Sequence, residues 1–133
     1  MTPTGLTKDA GWEIGVSRTF ATTPDEAWRT VTGREGLAAW LGTGSLPTEP
    51  GEPYETPDGT TGEIRSYRPG DRLRLTWRPD GWTHDSTVQL AVTATGPNTV
   101  VRFHHERLAN QSEREAMRDH WTRAMDALAP LLD

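Results

Sequence analysis

The chain has no cysteine, a single lysine (Lys8) and few apolar residues, 33% of its 133 positions. Without cysteine there is no disulfide, no thiolate metal site and no thiol nucleophile. No apolar run approaches the ~20 residues that carry a helix across a bilayer. The first ten residues, Met-Thr-Pro-Thr-Gly-Leu-Thr-Lys-Asp-Ala, show no basic stretch followed by an apolar one. The expectation is a cytoplasmic protein with no membrane insertion. A formal net charge of −5 argues against nucleic acid as a partner. The bias of the basic residues toward arginine favours bidentate anion binding. It equally accompanies the abundant Ala, Gly, Pro and Thr of a GC-rich coding genome, the reading preferred here, and a bacterial origin is expected.

What the chain does have is tryptophan, six of them. A chain of this length buries roughly two thirds of its unfolded surface, and with so few aliphatics the large rings must supply much of the core. Their placement begins to describe a fold. Trp12, Ile14, Val16 and Phe20 keep the two-residue period of a half-buried strand, whereas Trp28 and Val31 have helical spacing. Between them runs Phe-Ala-Thr-Thr-Pro-Asp-Glu-Ala-Trp. Thr23 is a cap, Pro24 a first helical residue, and Glu26 sits where a capping-box carboxylate reaches back. A strand thus turns sharply into a short helix.

Gly33-Arg34-Glu35-Gly36 breaks that helix, and Leu37, Trp40 and Leu41 predict a second short one ending at Gly42. Residues 43–53, rich in Pro and Gly, read as a loop. Turns at Pro57-Asp58-Gly59, Pro69-Gly70-Asp71, Pro79-Asp80-Gly81 and Gly96-Pro97-Asn98 then separate alternating segments. In these, Leu73, Leu75 and Trp77 face in; so do Val88, Leu90 and Val92, and Val101, Phe103 and His105. Arg72, Arg74, Thr76 and Arg78 take the wet face. Ser112 to Glu115 reads as a capping box opening a last helix. Met117, Trp121, Ala124, Met125 and Leu128 form its apolar stripe, and Pro130 stops or kinks it. Strand, two short helices, about six strands and a long helix make a two-layer α+β domain.

In order and spacing, the strand–helix junction with Arg18 before it, Gly36 to Leu41, Leu73-Arg74-Leu75-Thr76-Trp77, His105-Glu106 and the helix bearing Trp121 resemble the SRPBCC or START-related superfamily. The branch they resemble is that of the activator of the heat-shock-protein-90 ATPase. The likeness runs from about residue 12 to 132. It implies a helix-grip fold, with a curved antiparallel sheet wrapped around the long C-terminal helix and two short helices after the first strand. Residues 1–11 are expected to be a flexible N-terminal segment and 12–133 a single domain. The resemblance also implies a cavity between sheet and last helix.

The residues assigned to that cavity are Arg18, Trp40, Trp77, Leu90, Phe103, His105, Met117, Trp121 and Met125, binding a small hydrophobic or amphipathic ligand. The ordinary alternative for the rings is that they simply fill the core. Arg18 is the sharper anomaly, a cation on an apolar strand face. It pairs with a carboxylate (Glu106 or Glu63), reaches the end of the sheet, or meets an acidic ligand group. His105 is read as a hydrogen-bonded core or rim residue. The stripe Arg65, Arg68, Arg72, Arg74 and Arg78 is read as a solvated outer face, or else as a docking surface for an acidic protein partner. That second use makes the chain an interaction module resembling a chaperone activator. A cyclase- or hydrolase-like enzyme is a third reading. No catalytic residue, metal or cofactor is assigned: His104 and His105 face opposite sides of a strand, and Gly42-Thr43-Gly44 lacks the strand and helix of a phosphate loop.

Overall fold

The structure, a computed structural model, describes residues 6–7 and 11–133. The elements in chain order are β1 (Leu6–Thr7), β2 (Gly11–Phe20), α1 (Pro24–Thr32), α2 (Arg34–Trp40) and β3 (Pro53–Glu55). They continue with β4 (Thr61–Arg68), β5 (Arg72–Trp77), β6 (Ser86–Thr95), β7 (Asn98–Leu108) and α3 (Gln111–Leu132). Most of the expected flexible N-terminal segment, residues 1–5 and 8–10, lies outside the described residues. Leu6 and Thr7 pair with Trp12 and Gly11.

The strands form one curved antiparallel sheet in the order β1-β2-β7-β6-β5-β4-β3. Three hairpin connections lay β4 to β7 side by side, and β2 closes the set by pairing with β7, Phe20 opposite Thr99. The chain between β2 and β3 is used for α1 and α2. With α3, which packs against β2, β7 and α2, they cover the inner face of the sheet. This is the helix-grip α+β arrangement.

Local chemistry explains the element ends. Thr23 Oγ1 accepts the Glu26 amide at 3.2 Å, and Pro24 opens α1. The Glu26 carboxylate accepts the Thr22 hydroxyl at 3.1 Å, so it braces the strand–helix corner from one residue further out than a capping box would. In α3 the expected cap moves. Asn110 Oδ1 accepts the Glu113 amide at 2.9 Å, and Glu113 Oε1 accepts the Ala109 amide at 2.9 Å. The helix therefore starts two residues before the Ser112 expectation, because Asn110 and Glu113 have the same three-residue spacing and equal capping chemistry. At its other end α3 runs through Pro130 to Leu132. Gly36 lets α1 and α2 meet, since a Cβ there would lie 2.0 Å from the Thr30 carbonyl oxygen.

The inner face holds the core: Ile14, Phe20, Leu73, Leu75, Trp77, Val88, Leu90, Val101, Phe103 and His105 are all buried. Thr76, expected on the wet face, is buried too: the Tyr54 hydroxyl of β3 donates to its carbonyl, and the Thr76 hydroxyl accepts the Glu63 amide at 2.9 Å. A bulge interrupts β2–β7 pairing between Trp12 and Ile14, with Arg107 at φ 64. It lets His105 and Leu108, three residues apart, both face inward.

Candidate functional site

Trp121 of α3 stands at the centre of the interior. Phe103 of β7 stacks on it, ring centroids 4.5 Å apart at 19°; Trp77 of β5 lies at 5.4 Å and Trp40 of α2 at 6.1 Å. Trp40 is held from behind by its own Nε1–H, which donates to the Val31 carbonyl at 2.9 Å. Trp40, Phe103 and Trp121 are fully buried, as are Leu90 and Met125. Around Trp121 the space between sheet and helix is thus filled by side chains of the chain itself. Seven of the nine residues assigned from sequence (Trp40, Trp77, Leu90, Phe103, His105, Trp121 and Met125) belong to this buried interior. Met117 packs on its edge, half-buried.

Arg18 does not join the cluster. Its guanidinium donates to Asp126 Oδ1 at 2.8 Å, with the Met125 carbonyl at 3.5 Å, on the exposed side of α3. The two carboxylates named as partners are otherwise engaged: Glu106 pairs with Arg74 at 2.8 Å and Glu63 with Arg65 at 3.6 Å. Arg18 thus resolves its placement on an apolar face by reaching past the core to the solvent-exposed face of the helix.

The polar centre of the interior is His105, fully buried. Trp121 Nε1–H, which can only donate, lies 3.1 Å from His105 Nδ1, so Nδ1 accepts and the proton of the neutral ring is on Nε2. Nε2–H then donates to Ser86 Oγ at 2.7 Å, and the Ser86 hydroxyl donates to the Trp77 carbonyl at 2.6 Å. Every polar atom of this relay has a partner. Burial pushes the His105 pKa down to about 3, with the neighbouring histidines adding in the same direction. A ring whose lone pair is occupied and whose pKa is so low is a weak general base near neutral pH.

One buried group near this relay is not satisfied. Among the described residues, Trp77 Nε1 is the buried side-chain polar atom with no hydrogen-bond partner. The ring of Trp77 packs edge-on against His120, centroids 5.3 Å apart, on the rim of α3. His120 Nε2 faces the Trp40 carbonyl at 3.1 Å and must donate to it, which leaves Nδ1 as an acceptor. Burial holds the His120 pKa below its ordinary value, against the pull of that carbonyl.

The β5–β6 connection closes this end. Trp82 stacks on His84 at 5.0 Å and lies 6.4 Å from the His105 ring. His84 Nε2 is 2.9 Å from Glu113 Oε1, and its Nδ1 is 3.1 Å from the Asp85 carbonyl. Both ring nitrogens face acceptors, an arrangement suited to imidazolium. Although burial opposes it most, the hydrogen bond to Glu113 and the Asp85 carbonyl raise the His84 pKa. The connection is a strap tied to the first turn of α3. Ser86, His120, Trp82, His84 and Glu113 were not among the residues assigned from sequence. Ser86 carried a usable signal, since it shares the two-residue period of Val88 and Leu90.

The outer face of the sheet is charged and mutually paired. Besides Arg74–Glu106 and Arg65–Glu63, Arg72 lies 3.8 Å from Asp71, Arg78 3.9 Å from Asp85, and His104 3.6 Å from Glu13. Glu13, His104 and Glu106 bring possible ligand atoms within 4.8 Å of one another. Arg74 already occupies Glu106 there, which opposes a divalent cation. A shallow cleft beside them is lined by Arg65, Arg74, Thr76, Asp85, Thr87 and Arg107.

Residues 21–133 match the family described as Activator of Hsp90 ATPase homolog 1-like protein. Among solved structures, protein MLL2253 from Mesorhizobium loti is 20% identical with a TM-score of 0.78, over 91% of this chain and 96% of that one. CalU16 from Micromonospora echinospora is 21% identical with a TM-score of 0.73, over 88% and 71%. PFC0360w, an HSP90 activator from Plasmodium falciparum, is 16% identical with a TM-score of 0.68, over 83% and 87%. No curated protein matches the chain. At these identities the solved structures speak for the shared fold. The family match spans most of the chain, and the protein belongs to the Activator of Hsp90 ATPase homolog 1-like family.

Proposed function

We propose that this family member is a cytoplasmic binding domain, formed by residues 12–133, that takes a small hydrophobic or amphipathic molecule between its sheet and α3. The observation that carries this reading is the unpartnered Trp77 Nε1–H within an aromatic enclosure. A buried donor left without an acceptor is costly, about 1–3 kcal/mol, and a polar atom of a bound molecule removes that cost. The surrounding rings supply apolar area, and Met117 and Met125 on α3 are side chains that adapt to varied shapes. Because the rings are in contact, admission requires them to part. Arg18, tied to Asp126, would meet only a ligand group that emerges along α3.

The test is a titration of intrinsic tryptophan fluorescence with a fatty acid and with a polycyclic aromatic hydrocarbon. A saturable change with at least one of them is expected, reduced in Trp121→Phe while the fold, read by circular dichroism, is kept. Failure of both probe classes to bind would sink the reading. A second reading, docking of an acidic protein partner on the outer arginine face, is supported by the arginines that line its cleft. It is weakened by the carboxylates already matched to them. Reversal of Arg72 and Arg74 to Glu separates the two, since it would abolish such docking and leave probe binding intact. The enzyme reading has the least support, because His105 lacks a free lone pair.

A further inference from the structure

The interior has one polar donor to spare and, at its rim, one polar acceptor to spare. Trp77 Nε1–H is fully buried and unpartnered. His120 spends Nε2–H on the Trp40 carbonyl, and among the described residues its Nδ1 lone pair meets no donor. The two rings are in contact, edge-on, at 5.3 Å between centroids; a bridge between them requires one oxygen atom within about 3 Å of both nitrogens. Such an oxygen must accept a hydrogen bond from the indole and donate one to the imidazole. Among single-oxygen groups an O–H does both, in water as in an alcohol or phenol. A ketone, ether or carboxylate satisfies Trp77 but presents a lone pair to the lone pair of His120. An ammonium group satisfies His120 but not Trp77.

We propose that Trp77 and His120 form the specificity-determining pair of the interior site, and that its ligand is an alcohol or phenol whose hydroxyl bridges Trp77 Nε1 and His120 Nδ1. This rests on the interior-binding reading above and narrows it by one functional group. Trp121, Phe103 and Trp40 then receive the hydrocarbon part, while the polar side chains of His105 and Ser86 are already consumed by their own relay. The rim position of His120 places the hydroxyl beside the strap, so the hydrocarbon would enter first.

The experiment uses three probes of one shape: cyclohexanol, methoxycyclohexane and methylcyclohexane. Binding is followed through the tryptophan indole 1H–15N resonances in the wild type and in Trp77→Phe and His120→Phe. Comparing each variant with the wild type cancels the different hydration of the probes. Expected is that the affinity ratio of cyclohexanol to methylcyclohexane falls about fivefold to tenfold in either variant, the worth of a buried hydrogen bond. The Trp77 indole proton should move with cyclohexanol and not with methylcyclohexane, and methoxycyclohexane should lose less in His120→Phe than cyclohexanol does. His120→Phe, at the rim, keeps the test valid should Trp77→Phe fail to fold. Equal ratios in all three proteins would overturn the hydroxyl assignment while leaving interior binding standing. A Trp77 indole proton that contacts a slowly exchanging water and ignores every probe would mean a trapped water only, and also overturns it. Absence of binding by all three overturns this assignment; the fatty acid and polycyclic probes then decide separately whether the interior reading falls with it.

Discussion

His104 and His105 are neighbours in the chain and occupy opposite worlds. His105 faces α3, fully buried, with both nitrogens bound to uncharged partners and its pKa pushed down to about 3. His104 faces outward, 3.6 Å from the Glu13 carboxylate, within a surface of arginines matched to acids. On the inner face polarity is admitted only where each proton and lone pair has a neutral partner, since desolvation leaves no room for an unmatched charge. On the outer face charge is plentiful, and its geometry is loose, with several pairs separated by 3.6–3.9 Å. Stability should therefore be concentrated on the inner face and nearly insensitive to the outer one.

The comparison breaks most visibly at Trp121. Trp121→Ala removes a fully buried ring that touches Trp40, Trp77 and Phe103 and strips His105 of its donor. A loss of about 3–5 kcal/mol is expected in urea unfolding; a loss below 1 kcal/mol would mean that the interior is not packed as described.

A smaller effect comes from acid. The folded protein resists protonation of His105 until about pH 3, whereas the unfolded chain takes that proton near the usual imidazole value of about 6.5. Between those values the unfolded state binds more protons, so stability falls as pH falls, on the order of 2 kcal/mol by pH 5 from this group. His120, also lowered, adds in the same direction. His84, raised by Glu113, works the other way: its contribution is present at low pH and is lost as pH rises through its folded pKa. His105→Gln should flatten the wild-type slope between pH 7 and 5. Equal slopes in wild type and His105→Gln would remove the distinction between the faces.

The smallest effect sharpens the outer side. A double-mutant cycle on Arg74 and Glu106, the closest outer pair at 2.8 Å, should return about 0.2–1 kcal/mol of coupling. The same range is expected for Arg18 and Asp126, whose side chains are 38% and 65% exposed. A coupling well above 1 kcal/mol at either would show that the outer charges carry structural weight.

Where the determinants are local, the sequence is readable. Thr23 and Pro24 define the entry to α1 because cap and proline act within one turn, and the two-residue period of β5, β6 and β7 identifies the inward side chains correctly. Legibility fails where two local solutions are equivalent, as at Asn110 and Ser112, each followed three residues later by a glutamate. It fails again where the partner is remote: Arg18 and Asp126 are 108 residues apart, and nothing in either segment selects the other over Glu106 or Glu63. Alternation also says which way a side chain faces but not whether opposing walls touch. The closure of Trp40, Phe103 and Trp121 on one another, and the partners of His105, depend on the separation of β7 and α3.

The pairing of Trp12 with Leu108 and Phe20 with Thr99 has a consequence for the newborn chain. β2 is made before β7 and α3, yet many of its inward residues gain their neighbours only after those elements have left the ribosome. Until then Phe20 lacks its neighbour strand and Trp40 lacks Phe103 and Trp121, and the edge of β2 is open to any other strand. Such delayed, long-range closure predicts slow folding, on the millisecond-to-second scale of non-local topologies. It also predicts a window in which a holding chaperone would find this chain before its own C-terminal half does. A chain cut after Thr95, lacking β7 and α3, should accordingly stay chaperone-bound during cell-free synthesis, while the full chain is released; release of both alike would show that β2 does not wait.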